Sequence, residues 1–80
     1  MQEIRACIYN AGAGDRLGSV LDDEVYDLNL CCAAQLTGEM GITDAYRLAN
    51  NLVPRELGEF IAGGDESLAA ARRGLAWVVQ

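Results

Sequence analysis

The fold is decided by residues 16–28, which read RLGSVLDDEVYDL. Residues that favour strands lie on both sides of the acidic pair Asp22-Asp23. This pattern predicts a β-hairpin with the pair as its two-residue tip. The arms are then Arg16–Leu21 and Glu24–Leu28.

The tip also sets the register of the predicted hairpin. Counting outward from it gives the cross-strand pairs Leu21 with Glu24, Val20 with Val25, and Ser19 with Tyr26. One face of the hairpin then carries Leu17, Leu21, Tyr26 and Leu28. Because side chains alternate between the faces of a strand, a slip of one residue would invert all of them.

A further strand precedes the hairpin. Residues 3–10 read EIRACIYN, and their period of two predicts a strand with both faces partly covered. Ile4, Ala6 and Ile8 share one face, and Arg5, Cys7 and Tyr9 share the other. Residues 11–15 contain two glycines and predict a loop. We therefore expect a three-stranded antiparallel unit over about residues 3–28.

The period changes after the hairpin, and helix-capping residues divide the remainder of the chain into helical segments. Asn29 suits the N-cap of a first helix, whose end is bracketed by Gly38 and Gly41. Thr43 suits the cap of a second helix. Pro54 fits the first turn of a third, where its missing N–H costs nothing.

The last helix is separated from the third by Gly63-Gly64, one of which takes the left-handed conformation at the helix end. Asp65 and Ser67 open this last helix. The apolar stripes of the helices are Leu30, Ala33, Ala34 and Leu36 in the first, Tyr46, Ala49 and Leu52 in the second, Leu57, Phe60 and Ile61 in the third, and Leu68, Ala71, Leu75, Val78 and Val79 in the last, with Trp77 beside it.

Strands followed by helices predict an α+β fold. We expect one domain over residues 1–80, with three or four short helices over about residues 29–79. A chain of this length buries only about 60–65% of its unfolded surface, yet 51% of its residues are hydrophobic. Two explanations stay open: a partner covers part of the apolar surface, or alanine-rich helices raise the count.

Charge and composition exclude several classes of function. The net charge is −6, with six arginines and no lysine, which argues against nucleic acid and against anionic membranes as partners. No apolar run approaches the ~20 residues that span a bilayer, and no signal-peptide pattern opens the chain. We expect a cytoplasmic protein.

Residues typical of catalytic chemistry are missing from the sequence. There is no histidine, which removes the commonest general base and the commonest metal ligand. The acidic run Asp22-Asp23-Glu24 lacks the spacing and the glycine of a calcium loop, so we interpret it as a solvated turn. We assign no catalytic, cofactor-binding or metal-binding residue to this chain.

The cysteines are three in number and do not form a disulfide pattern. The adjacent pair Cys31-Cys32 admits two interpretations. One is a thiol-based redox or metal sensor, which a helix N-terminus would help by lowering a thiol pKa. The other, which we favour, is that both are small apolar residues filling space in a helix.

Five residues are candidates for a partner interface: Arg55, Phe60, Arg72, Arg73 and Trp77. The arginines could hold an acidic patch of a partner, or they could simply form a solvated helix face. Trp77 could anchor the core or an interface, since tryptophan is enriched in both.

Three segments together resemble the N-terminal domain of the fumarylacetoacetate hydrolase family. They are the hairpin at residues 16–28, the stretch LVPRELGEFIAGG at residues 52–64, and the stretch AAARRGLAW at residues 69–77. Their order and spacing carry the resemblance, which covers nearly the whole chain. None of the residues matches a catalytic or metal-binding position of the family.

The resemblance implies a supporting role. In the family, a larger C-terminal domain uses carboxylates to bind magnesium, manganese or calcium, and it acts on keto- or diketo-acids by C–C hydrolysis, decarboxylation or tautomerisation. We therefore expect a non-catalytic accessory domain or small subunit of a hydrolase, lyase or isomerase. It would dock on a catalytic subunit or form a homo-oligomer. The alternatives are a stand-alone interaction module with an unrelated partner and, least favoured, a thiol sensor using Cys31 and Cys32.

Overall fold

Three antiparallel strands are followed by four helices in the structure, a computed structural model that describes residues 4–10, 12 and 15–79. The elements are β1 (Ala6–Asn10), β2 (Asp15–Leu21), β3 (Glu24–Asp27), α1 (Leu28–Gly38), α2 (Ala45–Leu52), α3 (Leu57–Ala62) and α4 (Gly64–Val79). The α+β class is confirmed. Glu3 of the predicted first strand and Ala11, Ala13 and Gly14 of the predicted loop lie outside the described residues.

The hairpin has the predicted register. Leu21 pairs with Glu24, Val20 with Val25 and Ser19 with Tyr26, and the sheet order is β1-β2-β3. Asp22 and Asp23 form the tip with φ of 52° and 66°. Positive φ at both positions is the type I′ turn, which matches the twist of the strands, so two non-glycine residues accept a left-handed backbone here.

The hairpin ends one residue earlier than predicted, because Leu28 begins α1 rather than ending a strand. Asp15, predicted to lie in a loop, is the first residue of β2. The sheet therefore passes directly into α1. This direct connection places the start of α1 against the sheet.

The two faces of the sheet differ in what covers them. The inner face carries Leu17 and Ser19, which are buried beneath the helices. The Oγ atom of Ser19 accepts a hydrogen bond from the Arg5 N–H at 3.1 Å, which satisfies this buried hydroxyl. The outer face carries Val20 and Val25, which are 38% and 49% exposed.

Three of the predicted helix starts are wrong. Asp27, not Asn29, caps α1, and its carboxylate accepts from the Leu30 N–H at 2.9 Å. The helix α2 begins after Asp44 rather than Thr43. Pro54 lies before α3, which begins at Leu57.

Asn29 is buried inside α1 and joins it to the end of α2. Its Nδ2 atom donates to the Val53 carbonyl at 2.9 Å and to Oδ1 of Asn50 at 3.0 Å. A buried amide needs such partners, which accounts for a polar residue in the core. The predicted left-handed glycine is Gly64, the first residue of α4, with φ of 61°.

The core lies between the inner face of the sheet and the helices. Its largest fully buried apolar side chains are Leu17, Leu28, Cys32, Val53 and Leu75. The helix α4 contributes small residues, with Ala70, Ala71 and Gly74 buried. Of its predicted stripe, Ala71 and Leu75 are buried but Val78 is 37% exposed. The close packing of α4 on α1 therefore depends on residues without bulk.

Candidate functional site

The seam between α1 and α4 is the basis of the candidate site. At Gly74 the two backbones meet: a Cβ atom added there would lie 2.7 Å from the Cys32 nitrogen and 2.8 Å from the Cys31 carbonyl carbon. Only glycine permits this approach. The seam fixes the position of the next turn of α4, which carries Trp77.

The Trp77 ring lies against α1 at Gly38, where an added Cβ would overlap the ring. The ring forms one wall of a groove of about 450 Å³. Its lining residues are Leu30, Ala33, Ala34, Thr37, Gly38, Tyr46 and Trp77. We call this surface the Trp77 groove.

The lining of the Trp77 groove is mostly apolar and partly open. Leu30 is 44% exposed and Tyr46 is 66% exposed, although the sequence placed each on an apolar stripe of its helix. Ala33 and Ala49, which belong to the same two predicted stripes, are buried. Large apolar side chains grouped in a concave surface are typical of a binding site.

Arg73 lies one helical turn before Trp77, so the two share a face of α4. The pKa of the nearby Cys32 thiol is raised by burial, and the charge of Arg73 opposes that rise. Among the described residues the ion pairs are Arg16–Asp27 and Arg47–Asp44. Within that part of the chain Arg73 therefore has no carboxylate at ion-pair distance; it is exposed on the face of α4 that carries Trp77, and it is not one of the residues that line the groove.

The structure brings Arg73 and Trp77 together, but it separates the other three predicted interface residues from them. Arg72 is half-buried on the adjacent face of α4, where its Nε atom is buried and has no hydrogen-bond acceptor among the described residues. Arg55 lies in the segment before α3. Phe60 is 7% exposed and belongs to the core, so its ring is not offered to a partner.

Arg55 lines a different cavity, of about 520 Å³, between β1 and the segment before α3. Its apolar lining comes from Ile8 and Leu57. Arg16 also lines this cavity, but its guanidinium is paired with Asp27. Asp15 and Glu56 bring acidic groups to the same cavity, so its charge is mixed and it selects no obvious ligand.

A polar network centred on Asp27, on the outer face of the sheet, fixes the start of α1, which carries the groove residue Leu30. Asp27 accepts hydrogen bonds from the Arg16 guanidinium, from the Tyr9 hydroxyl at 2.6 Å and from the Leu30 N–H at 2.9 Å. Burial opposes the charge of Asp27, but these hydrogen bonds outweigh it, and the pKa of the carboxyl lies below its usual value. The network holds the first turn of α1, and with it Leu30, in place.

The two seam cysteines are protonated thiols at neutral pH. Burial is the main cause that raises the pKa of Cys31 to about 11, and burial also raises the pKa of Cys32. A thiol in this state is a poor nucleophile and a poor metal ligand. The positions of both residues match the interpretation of small apolar packing groups.

The described ranges 4–10, 12 and 15–79 contain no cluster of three or more residues able to hold a metal ion. No helix within them is both long enough and apolar enough to cross a membrane. The acidic residues Asp22, Asp23 and Glu24 are exposed at the hairpin tip, as predicted for a solvated turn.

The interpretation of the sequence missed Leu30 and Tyr46 as groove residues. A signal for the first was present: Leu30, Ala34 and Gly38 recur at intervals of four, which forms a second stripe on α1 beside the buried one. Nothing in the sequence brings Tyr46 of α2 to that stripe. Comparison with protein-family models, curated proteins and solved structures gave no match for this chain.

Proposed function

We propose that this chain is a non-catalytic accessory domain or small subunit that docks on a metal-dependent catalytic subunit acting on keto- or diketo-acids. The divalent metal, magnesium, manganese or calcium, would belong to that partner. The family and chemistry of the partner rest on the resemblance of residues 16–28, 52–64 and 69–77 to the N-terminal domain of the fumarylacetoacetate hydrolase family. A cytoplasmic location is part of the same proposal.

The observation that carries a docking role is the Trp77 groove. An aromatic ring held rigidly against Gly38 is a preorganised anchor, because little conformational freedom is lost when a partner covers it. Tyr46 and Leu30 add exposed apolar surface to the same groove. Aromatic residues in such positions contribute most to protein–protein affinity.

The charge beside the groove indicates what the partner presents. Arg73 carries a positive charge on a chain with a net charge of −6. A partner with a carboxylate next to an apolar segment would match both the groove and Arg73, and like charges elsewhere on the chain would disfavour other orientations. Arg55 and Arg72 are outside this surface.

The proposal is tested by binding measurements with a fumarylacetoacetate-hydrolase-type catalytic subunit that lacks its own N-terminal domain and comes from the same genome. Leu30→Glu and Tyr46→Glu place charge in the groove, and each should weaken binding at least about tenfold in calorimetry. Ile61→Glu is the matched control, because Ile61 is 67% exposed against 66% for Tyr46 and lies on α3 outside the groove.

Two results would contradict the proposal in different ways. Binding that is lost equally in the Ile61 variant would remove the groove as the docking surface. The second result is that the chain does not bind catalytic subunits of this type but binds an unrelated protein, and that Leu30→Glu or Tyr46→Glu weakens this binding. That result would favour the stand-alone interaction module. A sensor based on Cys31 and Cys32 is not proposed, because burial keeps both thiols protonated.

A further inference from the structure

The edge strand β1 is the least protected part of the sheet. Within the described residues β1 pairs with β2 alone, so its other side presents unpaired backbone N–H and C=O groups. Proteins usually guard such an edge with charge, proline, a bulge or a covering element. The residues of β1 are Ala6, Cys7, Ile8, Tyr9 and Asn10, which include neither charge nor proline.

The opposite edge of the sheet is guarded. β3 is four residues long against five for β1, and it begins with Glu24 and ends with Asp27. The chain turns into α1 directly after Asp27, so β3 offers only a short edge, and that edge starts with the exposed charge of Glu24. The chain thus discourages self-pairing at one edge and not at the other.

The centre of β1 is only partly covered by the rest of the described chain. Ile8 lies on the inner face, directly opposite Leu17, but Ile8 is 48% exposed whereas Leu17 is 1% exposed. Beyond the sheet, Ile8 faces the open cavity that Arg55, Glu56, Leu57 and Gly58 also line. About half of this apolar side chain is therefore left for a second copy to cover.

We infer that β1 pairs with β1 of a second copy of this chain, antiparallel and centred on Ile8, to form a six-stranded sheet across a two-fold axis. The pairing sets Ile8 opposite Ile8 of the copy and Ala6 opposite Asn10. No charged residue of the strand faces another, which suits a chain with a net charge of −6.

The geometry gives this pairing an apolar centre. Each Ile8 already lies opposite Leu17 in its own sheet, so the row Leu17, Ile8, Ile8 and Leu17 runs continuously across the two-fold axis on the inner face. Cross-strand apolar pairs are the unit that stabilises a sheet. Because an edge-to-edge contact is small, we expect a dimer with a Kd of about 10⁻⁵ M.

Sedimentation of the full chain over a range of concentrations around that value tests the pairing. The chain should change from monomer to dimer as its concentration rises. Ile8→Lys should weaken the dimer at least tenfold. Val25→Lys is the matched control, since Val25 is 49% exposed on the same sheet but on its outer face, and this variant should dimerise like the parent.

A cross-linking experiment keeps the test valid even if the lysine variant folds poorly. In a Cys7→Ser background, Ile8→Cys should form a covalent dimer rapidly under mild oxidation, because the two substituted positions lie opposite each other. Val25→Cys in the same background should not. A parent chain that stays monomeric at every concentration, or equal cross-linking by both variants, would overturn the inference.

The dimer is independent of the proposed function. The Trp77 groove is formed by α1, α2 and α4, and none of its residues lies on β1. Leu30→Glu and Tyr46→Glu should therefore leave the dimer intact. Loss of dimerisation in those variants would count against pairing through β1.

Discussion

At the scale of single residues, Asp27 joins three parts of the molecule through one carboxylate. Its Oδ1 atom caps α1, and its Oδ2 atom accepts from Arg16 of β2 and Tyr9 of β1. Its side chain is only 8% exposed. A buried charge is tolerated when it is paired and fully hydrogen-bonded, and here that arrangement fixes α1 to the sheet.

Asp27→Asn should destabilise the fold by about 2 kcal/mol near neutral pH, because an amide cannot accept from Arg16 and Tyr9 as a carboxylate does. The pKa of Asp27 is lowered in the folded state, so its contribution is complete above its unfolded pKa and is lost as pH falls through the folded value. Urea unfolding followed by Trp77 fluorescence should show the difference between parent and variant shrinking at acid pH.

The control for this prediction is Asp15→Asn, since Asp15 lies on the same strand as Arg16 but is exposed. This variant should change stability by no more than about 0.5 kcal/mol. An Asp27 variant as stable as the parent at neutral pH would show that the network contributes nothing. A difference between parent and variant that grows on acidification would contradict the sign of the pKa shift.

At the scale of elements, the contact between α1 and α4 depends on the absence of a side chain. Gly74 brings the α4 backbone against the backbone atoms of Cys31 and Cys32. Backbone atoms cannot move aside as a flexible side chain can. Added volume at this position would therefore displace the whole helix pair.

Gly74→Ala should destabilise the protein by about 2–3 kcal/mol, despite the better helix propensity of alanine, because its Cβ would lie 2.7 Å from the Cys32 nitrogen. Gly58→Ala is the matched control on α3. Its Cβ would meet only the end of the Glu56 side chain at 3.4 Å, so this variant should be neutral or gain up to about 1 kcal/mol. Thermal unfolding followed by circular dichroism measures the stability of both variants. A Gly74→Ala variant more stable than the parent would contradict the close backbone contact between α1 and α4 at this position.

The elements also show what local sequence could and could not indicate. The hairpin was predictable with its register, because a two-residue tip at Asp22-Asp23 sets the pairing of the flanking strand residues, beginning with Leu21 and Glu24. The start of α1 was not, because both Asp27 and Asn29 are good caps. Only the sheet decides between them, by placing Arg16 and Tyr9 next to Asp27.

At the scale of the whole molecule, the three cysteines differ in how far they are buried from solvent. Cys7 lies on the outer face of the sheet and is half-buried, while Cys31 and Cys32 are 6% and 1% exposed in the helix seam. The seam lies in the core, so these thiols reach solvent only when the helices separate. That opening requires most of the free energy of unfolding.

Labelling with a thiol reagent under native conditions should therefore modify Cys7 first, and Cys31 and Cys32 at least about 100-fold more slowly. In denaturant the three rates should converge. Mass spectrometry of digested protein assigns each label to its cysteine. Rapid native labelling of Cys32 would mean that the seam opens locally, and it would revive a thiol-based role for the pair.

The sequence by itself determined the α+β class, the hairpin register and the solvated acidic tip, because strand periodicity and turn chemistry are local properties. It also placed Arg73 and Trp77 on one face of a helix, through their spacing of four. The tertiary structure alone decided that Phe60 is buried, that Arg55 and Arg72 lie elsewhere, and that Leu30 and Tyr46 line one groove with Trp77. These features depend on how the helices pack. Because α1 and α4 approach closely at Gly74, only some side chains fit in the interior.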